Sequence, residues 1–85
     1  MSTIAEVNTV LDRTLQLGGR SAKFDGNTGL FGSIAEFDSM AVVAVVAALE
    51  EKFGITVEDD EITADVFETV GSLVRFVDDK IRASR

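Results

Sequence analysis

One serine is placed for chemistry. Glu36-Phe37-Asp38-Ser39-Met40 leads into an apolar stretch from Ala41 to Phe53, so Ser39 stands where a loop becomes a helix. A hydroxyl is a weak nucleophile unless a base activates it. The chain has no histidine and no cysteine, so the commonest such base is missing from it and there is no thiolate to replace the hydroxyl. Asp38 and Ser39 both suit an N-cap, because their side-chain oxygens accept from unpaired helix amides. A helix N-terminus also favours an anion, so a phosphodiester on Ser39 would sit in a favourable field. The plainer reading makes Ser39 a cap and nothing more.

No other pattern competes with it. Asp25-Gly26-Asn27 lacks the alternating oxygen ligands and closing glutamate of a calcium loop and reads as a turn. Glu58-Asp59-Asp60-Glu61 reads as a solvated, mutually repelling patch rather than a metal cage. No acid–base pair, nucleophile pair or phosphate loop is visible, so an enzyme is not expected.

The elements that would position Ser39 follow from periodicity. Ser2 to Leu17 reads as a first helix, with Thr3-x-x-Glu6 as a capping box and Ile4, Val7, Leu11 and Leu15 as its buried stripe; Gly18-Gly19 is expected to stop it. Arg20 to Phe37 is a long connection punctuated by Gly26, Gly29 and Gly32, with room for a short helical turn. Its apolar residues Phe24, Leu30, Phe31, Ile34 and Phe37 should pin it to the core. Asp38 to Phe53 is a second helix ended by Gly54. Val42-Val43 and Val45-Val46 alone would suit a strand, but the segment's length, its cap and Leu49-Glu50-Glu51-Lys52 decide for helix. Ile55 and Val57 should face inward from the next loop. Thr63 caps a short third helix, Ala64 to Glu68, with Ile62 and Phe67 spaced as a hydrophobic staple. Thr69 caps a last helix, Val70 to Arg82, whose apolar face is Val70, Leu73, Val74, Val77 and Ile81. The expectation is one all-α domain spanning residues 1–85: a four-helix bundle with a long loop after helix one and a short third helix.

Composition bounds the partners. Fifteen acids against eight basic residues leave a net charge of −7, and 46% of residues are apolar. Such a chain folds rather than staying disordered, and its surface repels nucleic acid and anionic membrane. No signal peptide or spanning run is evident, so a cytoplasmic monomer that does not insert into membranes is expected.

Asp38-Ser39-Met40, Val45-Val46, Leu49-Glu50, Phe53-Gly54-Ile55 and Val57 with the acidic run behind it together resemble the acyl carrier protein family. That family's pattern is Asp-Ser-Leu, an apolar helix ending in Leu-Glu, a Phe, and an Ile-x-Val/Ile-acidic loop. The resemblance is strongest from Phe37 to Ile81. It implies the same bacterial-type four-helix architecture and a 4'-phosphopantetheine arm on Ser39, whose thiol carries an acyl group as a thioester. It further implies a phosphopantetheinyl transferase that takes the arm from coenzyme A, with Asp38 positioning Ser39 for the transferase's metal–phosphate chemistry. Acyl-loading and acyl-transfer enzymes would then be the working partners.

Departures from the pattern lie on helix two. Acids common two and five residues after the modified serine are here Ala41 and Ala44, and Met40 replaces leucine. Partner binding is therefore expected on Met40, Val43, Ala44 and Ala47, apolar near the serine, with acids only at Glu50 and Glu51 and in the loop from Glu58. The stretch from Leu30 to Val43 looks more like stand-alone carriers of exopolysaccharide and exosortase clusters. The cargo stays open among fatty acyl, aminoacyl and D-alanyl groups. The alternative from another class is a small acidic interaction module using the Met40, Ala44 and Ala47 face.

Overall fold

A computed structural model describes residues 3–30, 34 and 37–83. Among them are three α-helices, α1 (Thr3–Leu15), α2 (Ser39–Phe53) and α3 (Val70–Ala83), with 3-10 turns at Arg20–Lys23 and Asp59–Glu61. The expected all-α bundle is what forms, and α1 packs against both α2 and α3. Val7, Val10 and Leu11 of α1 meet Val45, Val46 and Leu49 of α2 and Val70, Leu73 and Val77 of α3 in one apolar cluster.

Two helices end in the same way. Gly54 follows α2 in the left-handed region, at φ 65°, and the Ile55 amide donates back to the Glu50 carbonyl at 3.2 Å. After α1 that position is held by Gln16, at φ 55°, and the Leu17 amide donates to the Asp12 carbonyl at 3.0 Å. In both, the next residue (Ile55, Leu17) is buried, the apolar contact that accompanies this kind of helix stop. So α1 ends at Leu15, ahead of the expected Gly18-Gly19, because burying Leu17 offsets the strain of a left-handed glutamine. The capping box also differs. Thr3 lies inside the helix, and its hydroxyl donates to Asp78 of α3 at 2.7 Å.

The long connection is tied down. Leu30 and Phe37 are buried, and Phe24 and Ile34 are partly so; Phe31, also expected there, lies outside the described residues. Asp25 closes its turn through bonds with Asn27 and Thr28. Three backbone bonds then stitch the loop to the start of α3: Gly71 donates to Gly26 at 2.9 Å, Val70 to Thr28 at 2.9 Å, and Leu30 to Glu68 at 2.9 Å.

The expected third helix, Ala64 to Glu68, is instead a run of turns, with Val66 donating to Thr63 at 3.2 Å and Glu68 to Asp65 at 3.5 Å. Both amides reach three residues back rather than four, so the segment winds as successive turns and not as an α-helix. It is tied down from outside, where the Val66 carbonyl accepts from the Ser72 hydroxyl at 2.8 Å and the Glu68 carbonyl from the Leu30 amide. The Thr69 cap of α3 forms as expected, with Thr69 and Ser72 bonding each other's amides at 3.1 Å.

Candidate functional site

Asp38 is the N-cap of α2, and its Oδ1 accepts from the Ala41 amide at 2.9 Å. Ser39 is the first helical residue and is exposed. The capping bond is thus made by Asp38, which separates two roles that the sequence alone leaves merged. Among the described residues the Ser39 hydroxyl has no capping duty. It faces solvent at the positive end of a four-turn helix dipole.

Behind Asp38, Phe37 is buried, and its ring lies 5.8 Å from that of Phe67 at 43°. This contact fixes the approach of the chain to the serine. Glu36, the acid before Phe37, lies outside the described residues.

Beside Ser39 runs a groove of about 300 Å³. One wall is α2, through Val42 and Val43. The other is the turn segment, through Ile62, Thr63, Ala64 and Phe67. Periodicity placed Ile62 and Phe67 as a helix staple; they instead line this groove together, and the same apolar spacing was the signal available. Thr63 and Ala64, expected as the cap and first residue of that helix, line the groove as well.

The residues expected to meet partners fall into two groups. Met40 and Val43 are 79% and 66% exposed, and Ala44 and Ala47 are exposed beside them. Met40, Val43, Ala44 and Ala47 share one outer stripe by helical spacing. Glu50 is not part of it, because its carboxylate turns to accept the Val57 amide at 2.8 Å and so holds the loop after α2. Glu51 is exposed, next to the exposed Lys52. The acidic run is also less free than expected. Glu58, Asp59 and Asp60 are exposed, but Glu61 accepts from Lys80 at 2.8 and 3.1 Å and from the Glu58 amide at 2.9 Å. The Lys80 ammonium beside it, then the Glu58 amide, lower the Glu61 pKa from its ordinary value. Among the described residues no three histidine, cysteine or acidic side chains converge as metal ligands, and no helix is long and apolar enough to cross a membrane.

The family model for the phosphopantetheine attachment site matches residues 9–77. Acyl carrier proteins of Wolinella succinogenes, Sulfurovum sp. and Helicobacter acinonychis are 49%, 46% and 43% identical over 41, 41 and 42 residues, which is 48%, 48% and 49% of this chain. The matched segment spans about half the length of these curated relatives, 51%, 52% and 51%. The solution structure of a holo acyl carrier protein from Nitrosomonas europaea superposes with a TM-score of 0.89 at 46% identity, covering 96% of this chain and 99% of that one. With the family model spanning most of the chain and a solved relative covering nearly all of it, the chain belongs to the acyl carrier protein family, carriers rather than enzymes, whose prosthetic group is 4'-phosphopantetheine.

Proposed function

We propose that Ser39 is the attachment point of the phosphopantetheine arm, and that the chain carries acyl groups on that arm between enzymes. One observation carries the assignment. Ser39 is exposed at the first position of α2 while Asp38 makes the capping bond. A hydroxyl needed for the fold would be a poor place for a covalent group; this one is spare. The residues around it suit the group. The amides of the first turn of α2 favour a phosphodiester, and the adjacent apolar groove offers a surface for an aliphatic arm. When bound, the group supplies a terminal thiol for thioester formation, which a chain without cysteine cannot supply itself.

The chain's own residues present and orient. Asp38 holds the start of α2 and with it the direction of the Ser39 side chain; it is also the acid adjacent to the serine when a transferase approaches. Phe37, buried against Phe67, keeps the preceding backbone in place. With no histidine in the chain, deprotonation of the Ser39 hydroxyl falls to a phosphopantetheinyl transferase, with coenzyme A as the donor of the arm. Acyl-loading and acyl-transfer enzymes are the further partners.

Intact-mass measurement after incubation with coenzyme A and a broad-specificity phosphopantetheinyl transferase tests the assignment. A single addition of phosphopantetheine mass is expected, and none on Ser39→Ala. Addition to the Ser39→Ala chain, or no addition to the parent with several active transferases, would overturn it.

A further inference from the structure

Asp25-Gly26 is the only place in the chain where an aspartate or asparagine precedes a glycine. Both residues are exposed to water. The pair has a chemistry of its own. The Asp25 carboxyl carbon can close a succinimide ring on the next amide nitrogen, and a glycine there has no Cβ to obstruct the approach.

The fold holds both reacting groups. The Asp25 carboxylate accepts from the Asn27 amide at 2.9 Å and from the Thr28 hydroxyl at 3.2 Å. The amide that would attack is fixed through its carbonyl, that of Asp25, which accepts from the Thr28 amide at 3.1 Å. The Gly26 carbonyl accepts in turn from the Gly71 amide at 2.9 Å, the end bond of the seam with α3. Ring closure turns the Asp25 carboxyl away from Asn27 and Thr28 and back over the Gly26 nitrogen, so it needs the turn released and the seam open. The seam is an exposed set of backbone bonds, the kind that opens locally without global unfolding.

We propose that Asp25-Gly26 is a self-modification site, where the chain converts aspartate to isoaspartate through a succinimide at a rate set by opening of the seam to α3. The carboxylate first takes up a proton. The Gly26 nitrogen then bonds to Cγ, and its hydrogen leaves with the carboxyl hydroxyl as water. Water adds back to the ring. Opening at Cγ restores aspartate; opening at the main-chain carbonyl gives isoaspartate, with the chain now running through Cγ and a new carboxylate on Cα. No electrons are gained or lost, and the final mass is unchanged. In the product, the group that accepted from Asn27 and Thr28 has become main chain, so the turn that presents Gly26 to α3 cannot re-form. At Asp38 the next residue is Ser39, whose Cβ obstructs the ring and which already opens α2, so that pair is not expected to convert.

The test is incubation of the folded chain at neutral pH and body temperature for several weeks. Digestion and chromatography separate isoaspartate from aspartate peptides, and intact mass detects the succinimide, lighter by one water. The parent is expected to accumulate isoaspartate at position 25. Gly71→Ala places a Cβ 2.6 Å from the Gly26 carbonyl oxygen, and should convert about fivefold faster or more, since conversion follows the open population. Asp38→Ala weakens α2 rather than the seam and should stay within about twofold of the parent. Gly26→Ala is the blocking variant. Its Cβ would meet only the Gly71 Cα at 4.0 Å, so the fold is kept while conversion falls by about fivefold or more. Should Gly71→Ala fail to fold, urea below the parent's unfolding transition opens the seam instead and should raise the rate in the same way. The separated isoaspartate form should melt about 5 °C or more below the parent. No isoaspartate at 25 in the parent, no acceleration when the seam is loosened, equal acceleration in Asp38→Ala, or a product that melts with the parent would each overturn the proposal. None of these results depends on an arm at Ser39.

Discussion

Gly71 and Gly26 hold the long loop against α3, and substituting each by alanine should have very different effects. Gly71 is in the first turn of α3 and donates to the Gly26 carbonyl at 2.9 Å. A Cβ on Gly71 would lie 2.6 Å from that oxygen and 3.3 Å from its carbon. Both are backbone atoms, so no side chain can swing away. Either the hydrogen bond lengthens or the loop lifts off, and the bonds from Val70 to Thr28 and from Leu30 to Glu68 lie in the same seam. Forcing atoms into a packed contact costs about 1–3 kcal/mol. Alanine returns something less than about 1 kcal/mol of helix propensity, since the position is in the first turn. The net expectation for Gly71→Ala is a loss of about 1–2 kcal/mol. For a domain of this size that lowers Tm by about 5–15 °C. Gly26→Ala is the control. Its Cβ would meet only the Gly71 Cα at 4.0 Å, an ordinary contact, and the expected change is within about 0.5 kcal/mol. Thermal and urea unfolding followed by circular dichroism measure both. A Gly71→Ala chain as stable as its parent would refute the reasoning, and so would equal losses for the two alanines.

The division of labour at the start of α2 predicts unequal effects at neighbouring positions. Asp38→Ala removes the bond to the Ala41 amide and should cost about 1 kcal/mol, whereas Ser39→Ala should cost less than about 0.5 kcal/mol. Urea midpoints measure the two, and the reverse order would return the cap to Ser39. A third prediction concerns acid. The Ser21 hydroxyl, the Ser21 and Gly19 amides and the charge of Arg20 lower the Asp12 pKa from its ordinary value, against some desolvation; the amide bonds are 3.0–3.2 Å long. A carboxyl whose folded pKa lies below its unfolded one stabilises the fold above the unfolded pKa, and that contribution is lost as pH falls through the folded pKa. The Tm difference between the parent and Asp12→Ala should therefore hold at neutral pH and shrink below about pH 4. A difference that stays constant down to about pH 2.5 would mean that the carboxylate charge contributes nothing there.

Where one element decided its own conformation, the sequence was legible. Asp38 before an apolar run, Gly54 after it, and Thr69 three residues before Ser72 each name a helix end through a local bond, and all three form. Reading failed where distant residues set the outcome. Ala64 to Glu68 has a helix-like cap and staple, yet its amides bond three residues back, and Ser72 and Leu30 tie the segment to α3 and the loop. Glycines at 18 and 19 were the evident stop for α1, yet the chain turns at Gln16 because Leu17 has a core to enter. The same limit applied at the site. Asp38, Ser39 and the outer stripe of α2 could be named from spacing, but nothing in Glu50 announced that its carboxylate belongs to the Val57 amide. The opposite wall of the groove was likewise hidden inside a segment read as a helix.

Helix α2 also shows why apolarity had to be weighed by face. Its valines are poorer helix formers than leucine or alanine because their branched side chains restrict χ1. On the inner face that cost is offset by burial, since Val45 is fully buried and Val46 nearly so. On the outer face nothing within the chain offsets it. Val43 is two-thirds exposed, and Met40 more so; a lysine or glutamate at either position would keep the helix and improve solubility. Folding alone therefore gives no reason for the residues that surround Ser39 on the solvent side. The groove wall reaches the same conclusion from the other direction. Ile62 and Phe67 stand across from Val42 and Val43, and about 300 Å³ lies between these walls beside the serine. An uncharged outer stripe and an apolar groove meet at a hydroxyl that makes no capping bond.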